Sequence, residues 1–182
     1  MKKALKYALA GLVTLIVLLL ITASLQPTQW SIERSTLIKA PREKVWTIVS
    51  DLNRYNEWNS FAQMDPAAKT TVEGPAATVG STYAWDGQES GAGKMTTTTV
   101  IPGQQIDFKL EFLRPVPANN AASFIVQDEA GLTKMTWVMN GKHEGIIGLI
   151  SRAMHLCISI DSMLGGSFES GLAVLKEIAE KE

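Results

Sequence analysis

The side chains able to do chemistry in this sequence are few and scattered. His143 and His155 are the only histidines, with Glu144 beside the first and no third ligand at a metal-site spacing. His155 sits among hydrophobic neighbours, so proton transfer there needs Asp161 or a sheet residue to turn toward it. Cys157 is the single cysteine, which excludes an intramolecular disulfide, and Met154, Leu156, Ile158 and Ile160 around it mark a buried thiol. Arg34, Glu57, Asp86, Asp107 and Asp161 are the polar groups in or near strand-like segments. A buried carboxylate beside an aromatic-lined cavity could polarise a carbonyl or abstract a proton, as an aldol cyclisation requires. Strand parity and turn position instead put Asp107 and Asp86 in solvent. GxGxxG, P-loop, HExxH, GxSxG and CxxC patterns are all absent, so neither a catalytic set, a metal nor a cofactor is expected.

Apolar recognition is better supplied. Tyr83, Trp85, Phe108, Phe112, Phe124, Met135, Trp137 and Met139 share one face of their strands by parity, and Met154 and Ile158 would meet them from a C-terminal helix. Trp58, after a short helix and beside Tyr55, Asn56 and Asn59, reads equally as core or as a gate to a pocket. These residues are the expected ligand-binding set. The competing reading is a filled core, because large inward side chains on almost every strand favour a narrow cavity.

The elements that must position them follow from local pattern. Residues 30–38 read as a strand, and Pro41 suits the first turn of a helix to about Ser50, with Val45, Trp46 and Val49 on its buried face. Asp51 breaks that helix, and Asn53 can cap a second short one through Trp58. Strands follow over 68–73, 81–86, 93–101, 105–113, 121–127 and 132–140, separated by Gly-, Pro- and Asn-containing turns. Ile106, Phe108, Leu110 and Phe112 oppose Gln105, Asp107, Lys109 and Glu111, the pattern of an antiparallel sheet covered on one side. The cover is one long helix from about Gly145 to Glu180, striped by Leu164, Phe168, Leu172 and Leu175, in which Gly165-Gly166 invites a bend or a close approach. Ser167 and Gly171 permit close packing.

The N-terminus reads differently. Residues 7–25 are nineteen consecutive uncharged positions after Lys2, Lys3 and Lys6, about 28 Å as a helix. That length exceeds a cleaved signal core of roughly 7–15 residues and favours an uncleaved anchor over a signal peptide. The lysines place the N-terminus in the cytoplasm and the domain outside, after a linker at 26–29. Without those lysines fourteen Lys+Arg stand against eighteen Asp+Glu, and no basic cluster offers a footprint for nucleic acid.

Residues 39–46 (KAPREKVW), Asp51-Leu52 with residues 55–59 (YNEWN), the strand start at 80–85, residues 136–141 (TWVMNG) and residues 165–176 (GGSFESGLAVLK) resemble the START-like helix-grip superfamily, also called SRPBCC, most closely its polyketide cyclase/dehydrase branch. The correspondence runs from Trp30 to about Lys181. It implies an α+β fold: a seven-stranded curved antiparallel sheet around a long C-terminal helix, with two short helices after the first strand. In that family the sheet often leaves a deep apolar cavity for lipids, sterols, polyketides or plant hormones. Asn59-Ser60 stands where relatives often carry a proline and an aromatic, so the cavity rim is shaped differently. The resemblance to bacterial members implies an inner-membrane location for an anchored chain.

The expectation is therefore residues 1–25 as a transmembrane anchor and 30–182 as a helix-grip domain binding a small hydrophobic or amphipathic ligand, lipid-like or polyketide-like, without covalent chemistry. Its partners would be that ligand and, through residues 7–25, the membrane. The alternatives are a cyclase or dehydratase acting on a hydrophobic carbonyl compound, and an interaction module with a filled core.

Overall fold

The structure, a computed structural model, describes residues 2–143, 145–156 and 159–181, and within them every side chain except those at 2, 4, 5, 8 and 147. Ile158, expected on the cavity wall, and Cys157 lie outside the described residues. The chain divides into two compact units, residues 31–141 with 164–182 and residues 1–30 with 142–163.

The larger unit carries an antiparallel sheet built from β1 (Gln29–Ile38), β2 (Lys69–Glu73), β3 (Thr82–Asp86), β4 (Ala92–Ile101), β5 (Gln105–Arg114), β6 (Ala118–Glu129) and β7 (Leu132–Lys142), in the order β1-β7-β6-β5-β4-β3-β2. This is the expected seven-stranded α+β helix-grip arrangement. Alternation decides which face is covered: Ile106, Phe108, Phe124, Met135 and Trp137 are buried while Lys109 and Gln127 are exposed. On the outer face Asp107 accepts hydrogen bonds from Ser123 Oγ at 2.7 Å and Gln105 Nε2 at 2.8 Å, so it is tied into the sheet surface.

Three short helices follow β1, one more than expected: α2 (Arg42–Ser50), α3 (Tyr55–Trp58) and α4 (Ser60–Met64). Pro41 opens α2, its carbonyl accepting from Lys44 N and Val45 N at 3.0 and 3.2 Å. Asn53 does not cap α3; its amide is held by Asp51 Oδ1 at 2.9 Å. The extra helix starts where Asn59 Oδ1 accepts from Phe61 N at 3.1 Å, a side-chain cap that satisfies an otherwise orphaned donor. Trp46, read as core, is half-buried.

The expected single C-terminal helix is two, α5 (Gly145–His155) and α6 (Ile160–Lys181). Ser159 explains the restart, because its Oγ accepts from Ser162 N at 3.1 Å in the manner of an N-cap. In the sheet unit α6 buries Phe168, Leu172, Leu175 and Ala179, one stripe at helical spacing. Gly165 brings it against the Arg34 guanidinium of β1.

The inner face is closed by rings. Phe168 stacks on Trp137 with centroids 4.2 Å apart and planes 16° from parallel. Trp58 meets Trp137 and Phe124 edge-on at 5.4 and 5.2 Å, and Phe108 meets Phe124 at 5.0 Å. Gly171 makes this possible, since a Cβ there would lie 3.1 Å from both the Trp137 ring and the Trp58 carbonyl oxygen. Tyr55 joins the cluster 5.0 Å from Tyr83. Burial, then the neighbouring Tyr83, pushes the Tyr55 hydroxyl well above its ordinary value, and burial pushes Tyr83 up to about 12 despite the opposing bond to Asn56.

The smaller unit contains α1 (Lys2–Ser24) and α5. Arg152 of α5 donates from Nη1 to the Ser24 and Gln26 carbonyls at 3.3 and 3.1 Å, and His143 N donates to Thr28 O at 2.7 Å. Here the membrane expectation is corrected: among the described residues no helix is long and apolar enough to cross a membrane. Leu12, Leu15 and Leu18 of α1 are exposed. The transmembrane helix, the membrane as a partner through residues 7–25 and the single-pass inner-membrane placement are withdrawn on that ground.

Two predictions follow from the ring cluster. Phe168→Ala removes the stack on Trp137 and should cost about 3–5 kcal/mol, read by urea unfolding; a loss under about 1 kcal/mol would show that the cluster closes without it. Folding holds both tyrosines neutral above their ordinary value of 10.0. Their contribution to stability is therefore whole below pH 10 and lost as pH rises through about 12. With the exposed Tyr7 replaced by Phe, tyrosinate absorbance of the pair should appear together with loss of near-ultraviolet circular dichroism; ionisation of Tyr55 or Tyr83 near pH 10 with the fold intact would contradict their burial.

Candidate functional site

The inner face is not filled evenly. Along β4, β5, β6 and β7 the registered partners at one end include Thr97 with Phe108, Phe108 with Ala122 and Phe124 with Trp137, all of them buried. One row further along, Leu110 pairs with Asn120 and Asn120 with Gly141, and two rows along Gly93 pairs with Phe112 and Phe112 with Ala118. Three of these positions, Gly93, Ala118 and Gly141, contribute almost no side chain. Phe112, Leu110 and Asn120 are consequently only half-buried, as is Trp85 beside them.

Trp85 is the fixed wall of this open end. It stacks on Tyr83 at 6.2 Å and 29° and meets Phe112 edge-on at 5.7 Å. Its ring lies over Gly93, where any Cβ would run into the indole. The indole Nε1 donates to Ser90 O at 3.2 Å. Ser90 is in turn held by Asp65, whose Oδ2 accepts from Glu89 N at 2.9 Å and from Ser90 N and Oγ, each at 3.0 Å. Asp65 is buried, and these donors, led by Ser90 N, hold its carboxyl below the usual range. Tyr83 OH donates to Asn56 Oδ1 at 2.5 Å, and Asn56 Nδ2 donates to Thr70 Oγ1 at 3.1 Å. The aromatic wall is thereby tied to the short helices on one side and to the β3–β4 turn on the other. Asp86 pairs with Arg114 at the same end, both well exposed.

Of the residues singled out from sequence, Trp58, Phe108, Phe124, Met135 and Trp137 lie in the closed part of the inner face, each 3 % exposed or less. Trp58 Nε1 has no hydrogen-bond partner there among the described residues. Tyr83 and Met139 are buried, and Trp85 and Phe112 face the open end. Met154 belongs to the smaller unit, where it is exposed. Asp65 was missed: its partners, two backbone N–H groups and the Ser90 hydroxyl, lie far along the chain and leave no mark in the sequence, and the only local hint is an acid just before Pro66. Arg34 and Glu57 do not converge on the aromatic wall; Arg34 pairs with Glu169 at 2.7 Å and Glu57 with Arg54 at 2.7 Å. Asp161 belongs to the smaller unit.

In the smaller unit the His143 and His155 rings stand 5.0 Å apart, and His143 lies 6.4 Å from the Trp30 ring. Burial, then the charges of His155 and Arg152, lowers the His143 pKa. Among the described residues no group of three or more His, Cys, Asp or Glu could hold a metal ion.

With this geometry in place, comparison with known proteins separates fold from function. No curated protein matches the sequence. Among solved structures, a protein from Chromobacterium violaceum matches at TM-score 0.58 and 16 % identity, covering 84 % of this chain and 98 % of that one. The Aha1 dimer from Colwellia psychrerythraea matches at 0.59 and 18 %, covering 84 % and 97 %. The di-domain aromatase/cyclase BexL of the BE-7585A biosynthetic pathway matches at 0.61 and 14 %, covering 88 % of this chain and 53 % of that one. These likenesses establish the helix-grip fold. Residues 29–180, nearly the whole of the chain beyond α1, match a single family, and the protein belongs to it: the polyketide cyclase / dehydrase and lipid transport family.

Proposed function

We propose that the sheet unit binds a small hydrophobic or amphipathic molecule, lipid-like or polyketide-like, against the open end of its inner face, without covalent chemistry. The observation that carries this reading is the half-exposed Trp85–Phe112 pair set among Gly93, Ala118 and Gly141 on a face otherwise packed with rings. Family membership supports a hydrophobic-ligand-binding role for this face, and the family's own description pairs polyketide chemistry with lipid transport. Tyr83 and Met139 extend the wall, while Trp58, Phe108, Phe124 and Trp137 form a floor that keeps the site shallow.

The energetics suit a weak binder. Covering a further ~100 Å² of ring surface contributes about 2.5 kcal/mol. Micromolar affinity needs about 8 kcal/mol, so most of it must come from burying the ligand's own apolar surface. A rigid aromatic wall loses little side-chain freedom on contact, which favours flat or flexible apolar ligands alike.

Calorimetric titration with dodecanoate, a lipid-like probe, and with anthraquinone-2-carboxylate, a polyketide-like one, tests the reading. Saturable binding of at least one is expected, weakened about tenfold by Trp85→Ala and by Phe112→Ala, a change of about 1.4 kcal/mol. No saturation by about 1 mM, or affinity unmoved by both substitutions, would overturn it.

A further inference from the structure

A second site lies on the same unit and is independent of the ligand reading. β1 ends the sheet order, so one side of its backbone has no neighbouring strand. The side chains of α6 reveal which residues point that way. Lys176 Nζ donates to Leu37 O at 2.7 Å, and Lys39 N donates to Glu180 Oε1 at 2.7 Å. In an antiparallel strand a residue aims its N–H and C=O to the same side, and the side alternates. Glu33 and Ser35 therefore point outward with Leu37 and Lys39. Glu33 O is taken by Arg34 Nη1 at 2.9 Å. The helix thus supplies, at positions 37 and 39, bonds of the kind an added strand would make, and among the described residues nothing does so for Ser35.

Ser35 and Thr36 form one wall of a groove of about 440 Å³ whose other wall is α6. That volume lies within the range of functional clefts. Leu172, which is buried, and Ala173 supply its apolar part. Its charged lining is Glu169, Glu177 and Glu180 against one cation, Lys176. Glu169 and Glu177 are 63 % and 69 % exposed in their pairs with Arg34 and Lys181, and surface pairs of this kind exchange partners at little cost. An acidic occupant would set like charge against both carboxylates.

We propose that this groove takes an extended basic peptide segment, which adds as a strand to the free edge of β1. Its backbone pairs with Ser35 N–H and C=O, as in other cases of strand addition. Its Lys or Arg side chains meet Glu169 and Glu177, and a small apolar residue between them rests on Leu172 and Ala173. Protecting the edge would account for Lys176 and Glu180 alone; it does not account for an uncovered Ser35 facing an acidic trough.

The test uses the full chain and two probes, acetyl-Lys-Ser-Val-Ser-Lys-amide, whose lysines and valine share one face of an extended strand, and its Glu-for-Lys counterpart. The basic peptide should slow amide exchange at Ser35, and Glu169→Lys with Glu177→Lys should weaken its binding by about fivefold or more. Ser35→Pro, which deletes the edge N–H, should abolish binding if circular dichroism shows the fold kept; the glutamate pair, on an exposed helix face, decides the matter if it does not. Unchanged exchange at Ser35 with about 1 mM basic peptide, or equal binding of the acidic peptide, would overturn the proposal. Neither result bears on dodecanoate binding at Trp85.

Discussion

The contact on which the sheet unit depends is the stack of Phe168 on Trp137. One ring belongs to α6 and the other to β7, and their near-parallel planes at 4.2 Å fix the helix against the sheet. The stack needs Gly171 beside it, because a methyl group at that position would press on Trp137 and on the Trp58 carbonyl oxygen. Once it forms, Trp58, Phe124, Phe61 and Tyr55 have edge-on positions around it. Each such pair adds about 0.5–1.5 kcal/mol beyond the area it buries. Apolar burial closes this part of the unit.

The rings stop where the sequence turns to glycine and alanine. Gly93, Ala118 and Gly141 occupy inner-face positions one or two rows from the filled region, and the rings bordering them stay half-exposed. The wall is nonetheless rigid, because Asp65 holds Ser90 and Ser90 holds the Trp85 indole. A buried carboxylate with three donors is a strong anchor, and it keeps an aromatic surface in place that water alone would not order.

Much of this was legible in the sequence, and the misses are instructive. Alternation in Ile106, Phe108, Leu110 and Phe112 located β5 to within one residue, because one covered face imposes a two-residue period. The stripe Phe168, Leu172, Leu175 likewise marked the helix that covers it. The start of β6 was misread as loop since Ala118, Asn119 and Asn120 are small or polar, yet they pair with Phe112, Glu111 and Leu110. The trait that hid the strand is the trait that opens the site. Burial of Trp58 could not be decided from its neighbours, because it depends on α6 residues more than a hundred positions away. Ser159 restarts the C-terminal helix through a hydroxyl cap that hydrophobic periodicity does not register. The N-terminal anchor was read from apolar length alone, and the described residues supply no helix that meets that requirement.

The most direct test of this account is a crystal structure of the chain with 12-bromododecanoate, locating the bromine by its anomalous signal. The account predicts the chain of the fatty acid lying against Trp85 and Phe112 with the Phe168–Trp137 stack intact. Density instead between Trp58, Phe124 and Trp137, with Phe168 displaced from its partner, would contradict it.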